Sequence, residues 1–254
     1  MKTVAVVQAR MGSTRLQGKI LLPLLDRPML FRVMRRVARA RRLDRCVVAT
    51  TVDPSDDPIA ELAAREAWWL VRGTVGDLLD RYVMAARAHE ADVVVRITSD
   101  CPLIDPELID ETLEVFASGD CDYAATGLEP RTFPRGLDVE VISRAVLEQA
   151  WRDDADPAWR EHATPYIYRH PELFRLCRVA SEVDGSAHRW TVDTPEDYEL
   201  VRRIYEAFGR DDFSWREALA VVEAHPDWME LNRHVVQKVV PPAGRGVTPG
   251  AERG

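Results

Sequence analysis

The sequence predicts an α/β fold built on a doubly wound, mostly parallel sheet. Three observations predict it. Short apolar runs alternate with amphipathic helical patterns through the first half of the chain, the rhythm of parallel strands joined by crossover helices. The run Val93-Val94-Val95-Arg96-Ile97 is apolar at all but one position, as a strand covered on both faces requires. The two segments richest in chemistry, residues 10–19 and 98–105, each follow such a run directly. They therefore lie on the edge where open α/β sheets bind ligands.

The elements follow in order. Residues 3–9 form the first strand, with Val4-Ala5-Val6-Val7 buried. Over 28–42, Met29, Leu30, Val33, Met34, Val37 and Ala38 recur at helical spacing with arginines between them. That arginine-rich face reads either as a nucleic-acid contact or as a solvated helix face. Residues 46–51 form a second strand. Asp56-Asp57-Pro58 opens a helix to about Glu66, with proline near its first turn. A short strand at 68–71 precedes a helix at 75–90, whose Leu78, Leu79, Tyr82, Val83 and Ala86 point inward. Beyond Asp120 the rhythm changes. Tyr123-Ala124-Ala125 and residues 137–142 read as strands around a loop at 129–136. Helices at 143–152 and 158–169 and strands at 174–180 and 188–192 follow. Pro195 starts a helix to Phe208, and a last helix covers 215–224. With no repeat and no clean linker, 1–240 reads as one domain with a mid-chain excursion at about 120–180. The Pro/Gly-rich tail, 241–254, is expected to be disordered.

A chain of 254 residues can bury a substantial core. Its formal net charge of −8 argues against nucleic acid as the main partner. Positive charge is almost all arginine; Lys2, Lys19 and Lys238 are the three lysines. The four cysteines, Cys46, Cys101, Cys121 and Cys177, are far apart and form no C-x-x-C, so they read as reduced thiols of a cytoplasmic protein. No signal peptide precedes the first strand and no apolar stretch approaches membrane-spanning length, so no membrane partner is expected.

The chemistry begins at the end of the first strand, which empties into Gln8-Ala9-Arg10-Met11-Gly12-Ser13-Thr14-Arg15-Leu16-Gln17-Gly18-Lys19. Glycines free backbone N–H groups, and Arg10, Arg15 and Lys19 supply the charge that a polyphosphate requires. The loop is neither a Walker A motif, since Ile20 stands where Ser or Thr should hold magnesium, nor a G-x-G-x-x-G. In Thr98-Ser99-Asp100-Cys101-Pro102-Leu103-Ile104-Asp105, Asp100 is placed to hold a divalent ion. Asp100 could instead cap the helix near Pro106, but Asp105 is the better cap. Asp193, in His188-Arg189-Trp190-Thr191-Val192-Asp193-Thr194-Pro195, reads as a second carboxylate or as a local turn residue. Arg72-Gly73 precedes a helix bearing Asp80, where glycine would let a ligand approach the backbone. Asp138 and Glu140 share one face of a strand, a substrate wall or a solvated edge. His162, one of six histidines, is either structural, exposed or a substrate contact.

Together the run from Gln8 to Lys19, Asp100-Cys101-Pro102-Leu103-Ile104-Asp105 and Arg189-Trp190-Thr191-Val192-Asp193-Thr194-Pro195-Glu196-Asp197 resemble the cytidylyltransferases. These include the acylneuraminate and 3-deoxy-manno-octulosonate enzymes, and the nearest likeness is to the branch named after a spore-coat polysaccharide biosynthesis protein. The resemblance covers about residues 3–208. It implies a Rossmann-like sheet of nucleotide-diphospho-sugar transferase type. It also implies that Arg10, Ser13, Arg15 and Lys19 bind the CTP phosphates, with Arg72, Gly73 and Asp80 near the pyrimidine; Ala9, Gly12 and Ser99 join them as expected nucleotide-binding residues. Asp100 and Asp193 would bind Mg2+, and Arg10, Arg15, Lys19 and Asp100 would carry catalysis. From the residues themselves, Arg135, Asp138, Glu140, His162 and Arg189 are candidate acceptor contacts, the arginines being equally open to a structural role, and the resemblance implies that the excursion reaches a homodimer partner. Gln17 and Ser99 depart from the family's usual proline and glycine without removing a charge that the chemistry needs.

The implied reaction is transfer of CMP from Mg-CTP to an oxygen of an acidic sugar or related acceptor, with release of pyrophosphate. On the same fold, the alternatives are a glycosyltransferase, disfavoured by the missing Asp-x-Asp, and an enzyme joining a nucleotide to a sugar 1-phosphate. A non-catalytic nucleotide-binding protein is disfavoured by the joint presence of Arg10, Arg15, Lys19, Asp100 and Asp193.

Overall fold

A computed structural model describes residues 1–238 and 240. The predicted tail at 241–254 lies outside the described residues. The strands and helices fall in the order β1 (Thr3–Gln8), β2 (Pro23–Leu24), β3 (Arg27–Pro28), α1 (Met29–Val37), β4 (Arg45–Thr51), α2 (Asp57–Arg65), β5 (Trp69–Gly73), α3 (Leu78–Ala88), β6 (Val93–Thr98) and α4 (Pro106–Ala117). The second half adds β7 (Tyr123–Ala125), β8 (Glu140–Ser143), α5 (Arg144–Asp153), α6 (Pro157–Arg160), α7 (Pro165–Tyr168), β9 (Leu176–Arg178), α8 (Pro195–Phe208), α9 (Trp215–Glu223) and α10 (Pro226–Glu230).

The fold is α/β around a seven-stranded sheet of order β5-β4-β1-β6-β8-β7-β9. β1, β4, β5 and β6 are mutually parallel, β8 alone runs against its neighbours, and β7 pairs parallel with β9. The chain moves outward from β1 through β4 to β5, then returns to the other side of β1 as β6. The strand order therefore reverses between β1 and β6, the point at which open α/β sheets form a ligand crevice. Gln8 and Thr98 are register partners at that point.

Alternation along the strands builds two cores. Ala5 and Val7 of β1, with Val93, Val95 and Ile97 of β6, face the layer that holds α1, α4, α8 and α9. Val4 and Val6, with Val94, face the layer of α3 and α5. Arg96 shares the parity of Val94, which directs it to the second face, where its strand partner is Glu140.

Several expectations change. The arginine-rich stripe of α1 is not simply a solvated face. Arg36 is fully buried and donates to the carbonyls of Ile104 (2.6 Å), Asp211 (2.6 Å) and Phe213 (2.9 Å). Arg32 pairs with Asp211 at 2.9 Å. The single helix expected at 158–169 is two short ones, broken where Ala163 takes φ 70° and Thr164 precedes Pro165, a residue that disfavours helix before it. Residues 188–192 form no strand but one isolated bridge, Arg135 to Arg189. The strand expected at 137–142 begins only at Glu140, so Asp138 belongs to the loop before it. A short helix, α10, follows the one expected to be last.

Candidate active site

The loop after β1 is held at its start and open further along. The Ala9 N–H donates to the Ala49 carbonyl (3.0 Å) and the Met11 N–H to the Asp56 carboxylate (2.7 Å). Asp56 is buried and also accepts from the Thr51 hydroxyl, which fastens the loop to the end of β4. Gly18 takes φ 66°, a left-handed conformation that L side chains rarely adopt, and it begins the helical turn that carries Lys19 inward. Among the described residues the N–H groups of Gly12, Thr14 and Arg15 meet no protein acceptor. They are donors free for an anion.

Lys19 is the centre of the site. Its ammonium donates to Asp100 (2.9 Å), Asp193 (2.8 Å) and the Val192 carbonyl (2.6 Å). The three segments singled out in the sequence thus converge on one nitrogen. Asp100 sits just past β6, and its carbonyl accepts the Val192 N–H at 2.8 Å, which holds the second segment against the first. Asp105, not Asp100, caps α4 by accepting the Glu107 N–H at 2.9 Å, and it also accepts the Trp215 N–H at 2.7 Å. Asp100 is thereby left to the cleft.

Charge is balanced tightly here. Burial works against the ionised form of Lys19, but the Asp100 and Asp193 carboxylates outweigh it and raise its pKa. Burial likewise opposes ionisation of Asp193, but Lys19, Arg15 and Arg189 hold its carboxyl below the usual range. Arg15 reaches Asp193 at 2.9 Å. Arg189 grips Asp193 at 2.8 Å and Asp197 at 2.9 and 3.1 Å. Arg189 accordingly lies behind Asp193 and outside the cleft lining, because its fork is taken up by the two carboxylates. Arg10 is half-exposed and turned toward Glu161 of the opposite wall, 3.2 Å away.

A cleft of about 750 Å³ opens over these groups at the ends of β1 and β6. Ala9, Arg10, Gly12, Ser13, Arg15, Lys19, Ser99, Asp100 and Asp193 line it, and so do Arg135, Asp138, Glu140 and His162. Asp138 holds Arg131 at 2.6 Å and the Gly136 N–H at 2.9 Å. Glu140 pairs with Arg96 across β8 and β6, and each keeps one buried polar atom without a partner, Glu140 Oε2 and Arg96 Nε. His162 stands in the turn between α6 and α7.

Arg72, Gly73 and Asp80 lie elsewhere. Arg72 donates to the Thr51 carbonyl (2.7 Å) and pairs with Asp57 (2.7 Å). Asp80 accepts the Trp151 indole N–H at 2.8 Å, joining α3 to α5. A Cβ on Gly73 would come within 2.8 Å of Arg81 Cγ, so this glycine makes room for an arginine. Arg81 itself lines the cleft, as do Leu78, Arg96, Glu161, Thr164 and Tyr168, which sequence reasoning did not assign. Arg96 carried a signal, a lone charge inside an apolar strand. Tyr168 carried none, since it reaches the cleft through the turn at Ala163.

Comparison with known proteins identifies the family. A family model described as cytidylyltransferase matches residues 4–225. The spore coat polysaccharide biosynthesis protein SpsF of Bacillus subtilis is 32% identical over 230 residues, covering 87% of this chain and 94% of that protein. A 3-deoxy-manno-octulosonate cytidylyltransferase of Chlorobium phaeobacteroides is 32% identical over 217 residues, covering 82% and 87%. The solved structure of a cytidylyltransferase from Leptospira borgpetersenii superposes with a TM-score of 0.86 at 35% identity, covering 90% of this chain and 97% of that one.

Proposed function

The chain belongs to the cytidylyltransferase family, and from that premise we propose that it transfers CMP from CTP to an oxygen of an acidic sugar acceptor, releasing pyrophosphate. The chain is a CTP-dependent nucleotidyltransferase; its acceptor, metal and residue roles are inferred from the site. One observation carries it. A single ammonium from a phosphate-type loop meets two carboxylates from separate segments at the switch point of the sheet.

The residues present fit a magnesium ion. Asp100 and Asp193 are hard oxygen donors brought together on the Lys19 ammonium, and among the described residues no cluster of three or more His, Cys, Asp or Glu competes as a tighter metal cage. Magnesium commonly takes one or two carboxylates and leaves its other positions to water and phosphate. Bound there, it would offset phosphate charge and lower the pKa of the attacking oxygen.

The chain's own groups do the rest. The free N–H groups of Gly12, Thr14 and Arg15 and the cations of Arg10, Arg15 and Lys19 hold the triphosphate and take up charge on departing pyrophosphate. Arg189 orients Asp193 by gripping the face away from Lys19. Arg135, Asp138, Glu140 and His162 form the wall against which the acceptor rests, so that its oxygen can attack the α-phosphorus in line. The names of the relatives point to an acidic sugar and to polysaccharide biosynthesis. A cytoplasmic homodimer, with residues 120–180 at the interface, follows from the family resemblance.

Calorimetric titration with CTP, UTP, ATP and GTP, each with magnesium, tests the reading. CTP should bind selectively, and Asp100→Ala should weaken binding and abolish magnesium-dependent pyrophosphate release. Full magnesium-dependent turnover in Asp100→Ala would overturn the metal assignment. Binding of a nucleoside diphosphate but no triphosphate would overturn the reaction.

A further inference from the structure

Beyond α10 the chain turns back over the cleft. Asn232 is buried, and its amide donates to the Arg189 carbonyl (2.8 Å) and to Asp197 (2.9 Å). Gln237 accepts from the Arg189 guanidinium, and the Val240 carbonyl accepts from Arg169 at 2.7 Å. Three anchors therefore hold residues 232–238 and Val240 in place. Between the last two anchors lies Lys238, which lines the cleft together with Gln237.

The charges of this wall are mostly spent on one another. Glu140 neutralises Arg96, Asp138 neutralises Arg131, and Asp193 with Asp197 neutralises Arg189. Arg81, on α3, is occupied with the carbonyls of Thr74 and Val75, which leaves Arg135 and Lys238. Among the described residues neither Arg135 nor Lys238 has an acidic partner within salt-bridge distance. Arg135 also borders a smaller cavity of about 250 Å³ under the returning segment, and Gln237 borders both spaces. Arg135 comes from the loop before β8 and Lys238 from the chain's far end, so folding alone brings them to one cleft. The triphosphate already has Arg10, Arg15 and Lys19 on the β1 side, which leaves this pair for a different anion.

We propose that residues 232–238 are part of the active site, and that Lys238 and Arg135 form an anion subsite for a carboxylate or phosphate carried by the acceptor. The proposal rests on the reading that the cleft binds CTP and an acceptor together. Gln237 is a positioning residue: through Arg189 it ties the placement of Lys238 to the segment that holds Asp193. An acceptor without an anionic group would leave both cations facing an uncharged ligand and would bind more weakly.

The chain has three lysines, which allows a direct test on the full-length protein. Amine acetylation is followed by peptide mass spectrometry, with Lys2 as internal reference. The probes are 3-deoxy-manno-octulosonate, glucose 1-phosphate and neutral glucose. At ten times its dissociation constant, an occupying anion should slow acetylation of Lys238 about tenfold, by simple mass action, and leave Lys2 unchanged. Glucose should have no effect. Protection by the acid alone identifies a carboxylate subsite, and protection by the phosphate ester alone a phosphate subsite. Arg135→Gln should abolish protection, and both Arg135→Gln and Lys238→Gln should keep CTP affinity within about twofold. An unchanged Lys238 rate with both anions overturns the proposal, as does an equal loss of CTP affinity in Lys238→Gln. Failure of the wild type to bind CTP overturns the nucleotidyl-transfer reading by a separate measurement, calorimetry, which does not depend on Lys238.

Discussion

Lys19 binds three acceptors through one ammonium, and its removal separates two functions. Lys19→Met leaves Asp100 and Asp193 as facing carboxylates with less counter-charge. Breaking a buried pair by removing one partner costs about 3–5 kcal/mol, and the lower end applies here because Asp100 keeps part of its carboxylate in water. The variant should therefore melt below the wild type without divalent cations, and added magnesium should narrow the gap, as differential scanning calorimetry would report. Catalysis should fall further, by about 10²–10³ in kcat, the usual loss for one donor aimed at developing charge. A melting deficit that magnesium does not touch would separate Asp100 and Asp193 from any metal role. At the same scale, Asp80, which matches a motif, also ties α3 to α5. One of its carboxylate oxygens accepts the Trp151 indole N–H, and the neighbouring Arg81 reaches the cleft.

At the scale of elements, the start of α8 does two things at once. Thr194 caps the helix by accepting the Asp197 N–H at 3.3 Å, and Asp197 accepts in return from the Thr194 N–H at 3.1 Å. Asp197 also accepts the Asp193 N–H at 2.9 Å and carries the Arg189 fork, although it is fully buried. The two substitutions should differ sharply. Thr194→Ala removes a cap and should cost about 1 kcal/mol. Asp197→Ala leaves a buried guanidinium short of charge and should cost about 3–5 kcal/mol. Urea denaturation measures both, and equal losses would reduce Asp197 to a cap. Helix α1, in the same layer, shows the same economy, where Arg36 satisfies carbonyls of two separate segments, residues 103–104 and 211–213.

At the scale of the molecule, stability should depend on pH through histidines that face no ligand. His89 and His188 are buried, and burial lowers the pKa of each; Arg45 and Lys2 lower His89 further. The folded chain thus binds these protons less readily than the unfolded chain. Stability is complete above the ordinary histidine value of 6.5, falls as pH drops through that value, and is fully reduced below the folded pKa values. Urea midpoints should decline between pH 7.5 and pH 5, and the double variant His89→Gln, His188→Gln should flatten the decline. A decline of unchanged slope in that variant would place the proton uptake elsewhere.

Much of this was legible along the chain because periodicity is local. The strand and helix rhythm to residue 117, the phosphate-type loop, and the placing of Asp100 and Asp193 past apolar or capped segments all follow from neighbours in sequence. The same locality misread α1, since which arginines find buried carbonyls depends on residues 103–104 and 211–213. It also extended one helix through Ala163 and Thr164, where a left-handed residue and a following proline break it. The layered α/β sheet and the chemical inventory of the site are local properties of the chain, because burial patterns and motif spacing are written over short stretches. That Lys19 binds both aspartates, that Arg189 stands behind Asp193 and that Lys238 returns to the cleft wall are set by packing alone. Those pairings join residues far apart in the chain, and their geometry is set by how the sheet and its covering helices pack.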